Sequence, residues 1–181
     1  LPGWVNTSTL VILSSFSGNT EEIISSYNEC INRKIIPIII SSSGKLLNNA
    51  IERGNPYAVT PSPSGLMPRA ALGYAISILF KIFTELDIID FDLLNKLKKS
   101  VISLKTDTEE YSKIDPIDNN AIVLALKIFN TFNVIYTSPD MEVVGMRFRA
   151  QLAENSKMLA SHFIIPEQNH NEIEAFSNLY T

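Results

Sequence analysis

The sequence of 181 residues contains a single cysteine, Cys30, and only two histidines, His162 and His170. One cysteine cannot form a disulfide within the chain, so a disulfide-stapled extracellular scaffold is excluded and a reducing compartment, the cytoplasm, is expected. The two histidines lie eight positions apart with no cysteine beside them, and that spacing does not match a metal site. We therefore expect no metal ion and no other cofactor.

Positive charge and long apolar runs are also scarce. The chain has 15 lysines and arginines against 19 aspartates and glutamates, a net charge of -4. Its basic residues form no stripe beyond Lys96, Lys98 and Lys99, so nucleic acid is not expected as a partner. The longest uncharged apolar run, residues 70–80, is shorter than the roughly 20 residues that cross a bilayer, and no basic signal-peptide region begins the sequence. We therefore expect no membrane partner.

What the sequence does contain is a globular composition, 45% hydrophobic, in which strand-like and helix-like patterns alternate. Strands are predicted at residues 10–13, 35–40, 57–60, 133–136 and 162–165. Helices are predicted at residues 21–33, 45–51, 68–83, 91–104, 120–131, 142–160 and from 171 onward, with a turn at 166–169.

Alternating strands and helices indicate an α/β fold with parallel sheets. The predicted architecture is two doubly wound, flavodoxin-like lobes, at residues 1–86 and 120–181, joined by a helical connection at 87–119. The helix at 70–83 is apolar almost all round. We expect it to be the central buried helix of the first lobe or to lie in a subunit interface.

A hydroxyl-rich turn follows the first predicted strand. Ser15, Ser17 and Thr20 flank Gly18 and come directly before the helix at 21–33. Hydroxyl groups and the exposed amides of a helix start are suitable donors to a phosphate. The turn lacks the Gly-Lys-Ser/Thr of a P-loop and the three spaced glycines of a dinucleotide site. It predicts a phosphate site of another kind.

An ordinary strand-to-helix turn is the alternative interpretation of this segment. In that case Asn19 would cap the helix and Glu22 would be its capping partner. If the phosphate site is real, the carboxylates of Glu21 and Glu22 should point toward solvent, because they would repel a phosphate.

Four segments together resemble the archaeal bifunctional phosphoglucose/phosphomannose isomerases, which are built from sugar isomerase (SIS) domains. The segments are SFSGNTEE at 15–22, PRAALGY at 68–74, QLAENSK at 151–157 and PEQNHNEI at 166–173. The resemblance runs the whole length of the sequence. It implies an aldose-ketose isomerase that interconverts glucose 6-phosphate and mannose 6-phosphate with fructose 6-phosphate through a cis-enediolate, in two incomplete SIS lobes.

The resemblance also implies roles for individual residues. Glu154 would be the base that moves the proton between C1 and C2, His170 would open the sugar ring, and Arg69 would stabilise the enediolate. Ser15, Ser17 and Thr20 would bind the phosphate of the substrate, while His162 is assigned to structure. The enzyme would be a homodimer in which the glutamate and the histidine of one active site come from different subunits.

The sequence departs from the family at both ends. A glycine-rich segment before the serine loop and a lysine-bearing helix after residue 181 are expected of the family and are not found, so we expect a longer chain. Without the resemblance, Glu154 would be interpreted as a solvated helix residue and His170 as a surface or cap histidine. A non-catalytic SIS module that binds a sugar phosphate is the main alternative. The isomerase half of an amidotransferase would need an N-terminal cysteine where Leu1 stands.

Overall fold

The structure, a computed structural model, describes residues 1–176 apart from the side chains of Pro116 and Asn171. Two compact units divide the chain between Ser100 and Val101. This boundary falls inside a helix at Phe91–Tyr111, within the predicted connection at 87–119.

The first unit contains three strands and four helices, with the last helix reaching into the second unit. In chain order they are β1 (Ile12–Ser15), α1 (Glu21–Asn32), β2 (Ile38–Ser41), α2 (Gly44–Arg53), β3 (Tyr57–Val59), a 3-10 turn (Pro68–Ala70), α3 (Leu72–Glu85) and α4 (Phe91–Tyr111). The second unit continues with a 3-10 turn (Pro116–Asp118), α5 (Asn120–Ile128), β4 (Asn133–Thr137), a 3-10 turn (Pro139–Met141), α6 (Glu142–Gln151), a π-helical turn (Leu152–Ser156), β5 (Ala160–Ile164), α7 (Glu167–Asn171) and α8 (Ile173–Phe176).

The three strands of the first unit form a parallel sheet in the order β1-β2-β3, which confirms the predicted α/β class. Leu13 of β1 is in register with Ile39 of β2, and both are buried against α1 and α2. Pro37 directly precedes β2, as its missing N–H predicted. Cys30 is fully buried in the same core, and this burial raises the pKa of its thiol.

The second unit contains a parallel pair, in which β4 and β5 are in register from Asn133↔Ala160 to Thr137↔Ile164. Helix α6 packs on both strands. Gly145 permits this close approach, since an added Cβ would lie 2.4 Å from Nε2 of His162. The same His162 Nε2 is hydrogen-bonded to Thr137 Oγ1 at 2.8 Å, so His162 contributes to packing, as predicted.

The prediction of one helix from 142 to 160 is wrong. Helix α6 ends at Gln151, the next five residues form the π-helical turn, and Lys157 adopts a left-handed conformation with φ of 57°. A left-handed residue ends a helix, and Ala160 already begins β5. Helix 91–104 was predicted too short, because α4 extends through the polar residues to Tyr111. The predicted turn at 166–169 lies largely in α7.

Helix α3 is not the central buried helix of its unit. The structure describes every residue of Leu72–Glu85, and none of them is buried; Leu72 is 45% exposed. The alternative, that this apolar helix lies in a subunit interface, stays a prediction. Within residues 1–176, no helix has both the length and the apolar character needed to cross a membrane.

Candidate functional site

The predicted phosphate-binding side chains lie in one loop between β1 and α1. The hydroxyl groups of Ser15 and Thr20 share a hydrogen bond of 2.8 Å, and Ser15 Oγ also accepts from the Gly18 N–H at 3.1 Å. Ser17 Oγ accepts from the Asn19 N–H at 3.2 Å. Ser15 is buried whereas Ser17 and Thr20 are exposed. The loop is therefore folded on its own hydroxyl groups, with two of them facing outward.

These contacts leave hydroxyl protons for a ligand. A hydroxyl group has one proton to donate and two lone pairs to accept. Ser17 uses its oxygen as an acceptor, so its proton remains free to point at an anion. The pair of Ser15 and Thr20 uses one proton between its members and keeps the second. The loop thus offers one hydroxyl proton from Ser17 and one from the Ser15–Thr20 pair, and the buried Ser15 holds Thr20 in place.

The start of α1 adds to this donor set. Thr20 is the N-cap residue, and its side chain bonds no amide of the first helical turn. An uncapped helix start presents N–H groups and the positive end of the helix dipole, both of which favour an anion. Glu21 and Glu22 follow and are exposed, as expected if they must point away from a phosphate.

The alternative in which Asn19 caps α1 with Glu22 as partner is wrong. Asn19 Oδ1 accepts instead from the Lys45 N–H at 3.1 Å, in the first turn of α2. The Gly18 carbonyl accepts from the Leu46 N–H of the same turn at 2.9 Å. The serine loop therefore caps the second helix rather than its own, which joins the two loops at the carboxyl end of the sheet.

The second of these loops, residues 41–44, was not identified as part of the site from the sequence. Ser41 is fully buried, and its hydroxyl lies 2.7 Å from the Ser15 carbonyl and 2.8 Å from the Ser43 carbonyl. The Ser42 N–H and hydroxyl both donate to the Phe16 carbonyl. A signal was present, because a second Ser-Gly segment after a strand meets the first at the same edge of a parallel sheet.

Two glycines allow the loops to approach this closely. Gly18 and Gly44 have φ of 67° and 80°, in the left-handed region that favours glycine. A Cβ on Gly18 would lie 1.8 Å from the Ser43 carbonyl oxygen, and one on Gly44 would lie 2.2 Å from the Ser17 carbonyl oxygen. Any side chain at either position would push the serine loop away from its partner loop.

Arg69, predicted to stabilise an enediolate, lies in the 3-10 turn Pro68–Ala70 ahead of α3. Its side chain is partly buried and takes part in a contact within the chain. Pro68 opens this turn because its fixed φ suits the first residue of a helix. The chain then continues through Ala71 into the apolar helix α3.

Glu154 and His170 lie in the second unit on either side of strand β5 in the sequence. Glu154 is in the π-helical turn, six residues before the start of β5 at Ala160, whereas His170 is in α7, just after the carboxyl end of β5. A five-residue strand spans on the order of 15 Å. Both side chains are exposed. The segments that carry the predicted base and the predicted ring-opening group are therefore separated along the chain by the whole of β5.

The π-helical turn around Glu154 is itself informative. Such turns are rare and are frequent at functional sites. Leu152 at its start is buried, and the Met158 N–H donates to the Leu152 carbonyl at 3.2 Å, which closes the turn.

Removal of the Thr20 hydroxyl is expected to weaken phosphate binding. Hydrogen bonds to a charged acceptor are worth about 1.5 to 3 kcal/mol, so Thr20→Val should raise the Kd for a hexose 6-phosphate about tenfold or more. Titration calorimetry with a non-reacting six-carbon phosphate measures this. Thr20→Ser keeps the hydroxyl and is the matched control, with affinity close to wild type. Unchanged affinity in both Thr20→Val and Ser17→Ala would remove this loop from the binding site.

Comparison with known families identifies the second unit. Residues 117–180 match the model of the bacterial phospho-glucose isomerase C-terminal SIS domain. A bifunctional phosphoglucose/phosphomannose isomerase from Caldicellulosiruptor bescii is 39% identical over 175 residues, covering 96% of this chain and 51% of that protein. The enzyme of the same name from Aquifex aeolicus is 35% identical over 179 residues, covering 98% of this chain and 51% of that protein. The chain thus spans about half the length of these relatives.

One relative has a different name. A D-glucosamine-6-phosphate 4-epimerase from Sulfolobus acidocaldarius is 28% identical over 182 residues, covering 96% of this chain and 53% of that protein. At 28% identity, the relatives of this chain therefore include a protein named for a reaction at C4 of the sugar.

Solved structures share the fold. A candidate phosphosugar isomerase from Bacillus subtilis superposes with a TM-score of 0.64 at 17% identity, over 96% of this chain and 52% of that one. The C-terminal domain of glucosamine-fructose-6-phosphate aminotransferase from Francisella tularensis superposes with a TM-score of 0.54 at 14% identity, over 93% of this chain and 50% of that one. At these identities the likeness concerns the fold alone. The chain is thus similar in sequence to bifunctional phosphoglucose/phosphomannose isomerases over about half of their length, and its residues 117–180 match a C-terminal SIS domain.

Proposed function

We propose that this protein is an aldose-ketose isomerase that interconverts glucose 6-phosphate, and mannose 6-phosphate, with fructose 6-phosphate. The observation that carries the proposal is the serine loop. It offers two free hydroxyl protons at an uncapped helix start, in a chain 39% identical to a protein named for this activity. In the proposed complex, Ser17 and Thr20 donate to the phosphate and Ser15 supports Thr20.

The proposed chemistry is transfer of one proton between adjacent carbons through a cis-enediolate. A single carboxylate can remove the C2 proton and return it at C1, while the proton of the C2 hydroxyl moves to the C1 oxygen. We assign the transfer between the carbons to Glu154. Negative charge develops on the substrate oxygens in the transition state, and a guanidinium group stabilises it there more than in the ground state. We assign that role to Arg69.

Ring opening precedes proton transfer because hexose 6-phosphates are mainly cyclic. It requires removal of the proton from the C1 hydroxyl and donation of a proton to the ring oxygen. An imidazole can do both near neutral pH, and we assign this step to His170. Its exposed position in α7 leaves the ring accessible to a substrate.

The proposed assembly is a homodimer with shared active sites. Glu154 comes before the start of β5 and His170 after its end, and a five-residue strand spans on the order of 15 Å, so the two residues are carried at opposite ends of this strand. A second copy can supply the missing partner. The exposed apolar helix α3 is the proposed contact surface of the dimer.

The proposed location is the cytoplasm, and the buried thiol of Cys30 is consistent with it.

Substrate trials with the full-length protein test the proposed function. Fructose 6-phosphate should form from glucose 6-phosphate and from mannose 6-phosphate. In parallel, glucosamine 6-phosphate should remain unchanged at C4, since the reaction named for the Sulfolobus relative inverts that carbon. Binding of sugar phosphates without turnover of any of them would favour the regulatory-module alternative.

Loss of His170 is expected to affect cyclic and open-chain substrates differently. His170→Ala should lower kcat for cyclic glucose 6-phosphate by about 10²-fold or more, the scale of general acid-base catalysis. It should spare an acyclic analogue that needs no ring opening, and this analogue serves as the internal control. Steady-state rates on both substrates provide the measurement. Equal losses would mean that His170 acts in proton transfer itself or only in folding.

A further inference from the structure

The helix that carries His170 is too short to be stable alone. Helix α7 contains five residues, Glu167–Asn171, and isolated helices shorter than about 12 residues are marginal in water. His170 and its neighbour Asn169 are exposed, so the helix has little core of its own. Contacts with the sheet must therefore determine where His170 stands.

Two contacts join this segment to β4. The Ile165 N–H donates to the Thr137 carbonyl at 2.9 Å, which extends the β4-β5 ladder to the edge of α7. At the other end of the helix, the Tyr136 hydroxyl donates to Glu172 Oε2 at 2.6 Å. These two residues are 36 positions apart in the sequence. We name this pair the Tyr136–Glu172 clamp.

Tyr136 is well placed to act as the fixed side of the clamp. Its ring stacks on Phe163, its register partner in β5, with a centroid distance of 5.9 Å and an interplanar angle of 28°. The hydrogen bond to the Glu172 carboxylate raises the pKa of Tyr136 above its usual range. A phenol hydroxyl is protonated at neutral pH, so it is a donor to the Glu172 carboxylate there.

Glu172 also forms part of a cavity wall. A cavity of about 440 Å³ opens at the carboxyl end of β5, with Phe163, Gln168 and Glu172 among its lining residues. Ligands of open α/β sheets bind outside the carboxyl ends of the strands. The clamp thus fixes the side of α7 that borders the region where a ligand of this unit would lie.

We infer that Tyr136 and Glu172 are positioning residues for His170: the hydroxyl of Tyr136 holds the end of α7, through the Glu172 carboxylate, in the orientation from which His170 works. The inference rests on the proposed ring-opening role of His170 for its effect on activity. Its structural part, that the clamp orders α7, is independent of that role.

Solvent exchange of amide protons tests the structural part on the chain itself. Tyr136→Phe removes the hydroxyl and keeps the ring that stacks on Phe163, so β4 and β5 should stay protected. Exchange at the Asn169 and Glu172 amides, which bond the Pro166 and Gln168 carbonyls, should accelerate roughly tenfold. Tyr111→Phe, at a residue 54% exposed, is the matched control and should change nothing in α7.

Variants at Glu172 complete the cycle. Glu172→Ala should accelerate α7 exchange as much as Tyr136→Phe, and the double variant should be no worse than either single one, since both remove the same bond. Glu172→Gln retains a carbonyl oxygen that can accept from Tyr136 and should restore most of the protection. If the two substitutions accelerate amide exchange in α7 additively, or leave it unchanged, the inference that the clamp orders α7 is wrong.

Activity of the full-length protein tests the functional part. Tyr136→Phe should lower kcat for cyclic glucose 6-phosphate about tenfold, leave KM near wild type and spare the acyclic analogue, while Glu172→Gln recovers most of the rate. If Tyr136 has only a structural role, Tyr136→Phe should lower kcat for the cyclic substrate and for the acyclic analogue by the same factor. That result would overturn the positioning role. If wild-type protein turns over neither substrate, the proposed function fails, and the exchange measurements alone decide whether the clamp orders α7.

Discussion

Replacement of Glu154 by glutamine is expected to abolish isomerisation while leaving sugar phosphate binding close to wild type. The amide has nearly the shape of the carboxylate but cannot accept a proton from C2, and the loss of a general base costs about 10²- to 10⁴-fold in rate. The hydroxyl groups of Ser15, Ser17 and Thr20, which we propose bind the phosphate, belong to the first unit and are untouched by this change.

Two measurements on the Glu154→Gln variant separate chemistry from binding. Exchange of the C2 proton of glucose 6-phosphate with deuterated solvent should stop together with formation of fructose 6-phosphate. Calorimetry should give an unchanged Kd. Glu109→Gln, at an exposed glutamate of α4, is the matched control and should exchange the proton at the wild-type rate. Proton exchange that persists in Glu154→Gln would assign the base to another residue.

Mixing two inactive variants is expected to restore activity. If Glu154 of one subunit works with His170 of another, a dimer of one Glu154→Gln chain and one His170→Ala chain contains one site with both groups intact. Random exchange makes about half of the dimers hybrids with one working site of two, so about a quarter of the wild-type activity should return. The physical reason is that Glu154 and His170 are carried at opposite ends of strand β5.

The mixing experiment needs evidence that subunits exchange. Chains carrying two different labels report hybrid formation directly, and each variant mixed with itself is the control that must stay inactive. Hybrids that form but show no activity, from parents that are each folded, would refute the shared site. In that case Glu154 and His170 would have to be reassigned to separate functions.

Local patterns in the sequence predicted most of the fold. The β-branched run around Ile39 is continuous because β2 is buried on both faces, and Pro37 stands where a strand can begin without an N–H. The hydroxyl groups at Ser15, Ser17 and Thr20 were predicted together because they belong to one turn of six residues. Such features depend on near neighbours in the chain, so a sequence displays them directly.

The errors in prediction share a different cause. Asn19 was expected to cap the helix that follows it, but its side chain caps α2, which begins 25 residues later. Helical periodicity continued past Gln151 and concealed the π-helical turn, because the side chains there suit either kind of helix. Helix α3, apolar almost all round, was predicted to be either a central buried helix or part of a subunit interface, and the structure overturns the first alternative because none of its residues is buried.

By itself, the sequence determined the α/β class, the serine loop and the resemblance to the isomerases, since these depend on residue types in a local order. Only the tertiary structure decided that Ser41 supports Ser15, that Tyr136 holds Glu172, and that β5 separates the segments that carry Glu154 and His170. Each of these is a relation between segments distant in sequence. Strand register and chain direction bring such segments together or keep them apart, and no local pattern of residues encodes that geometry.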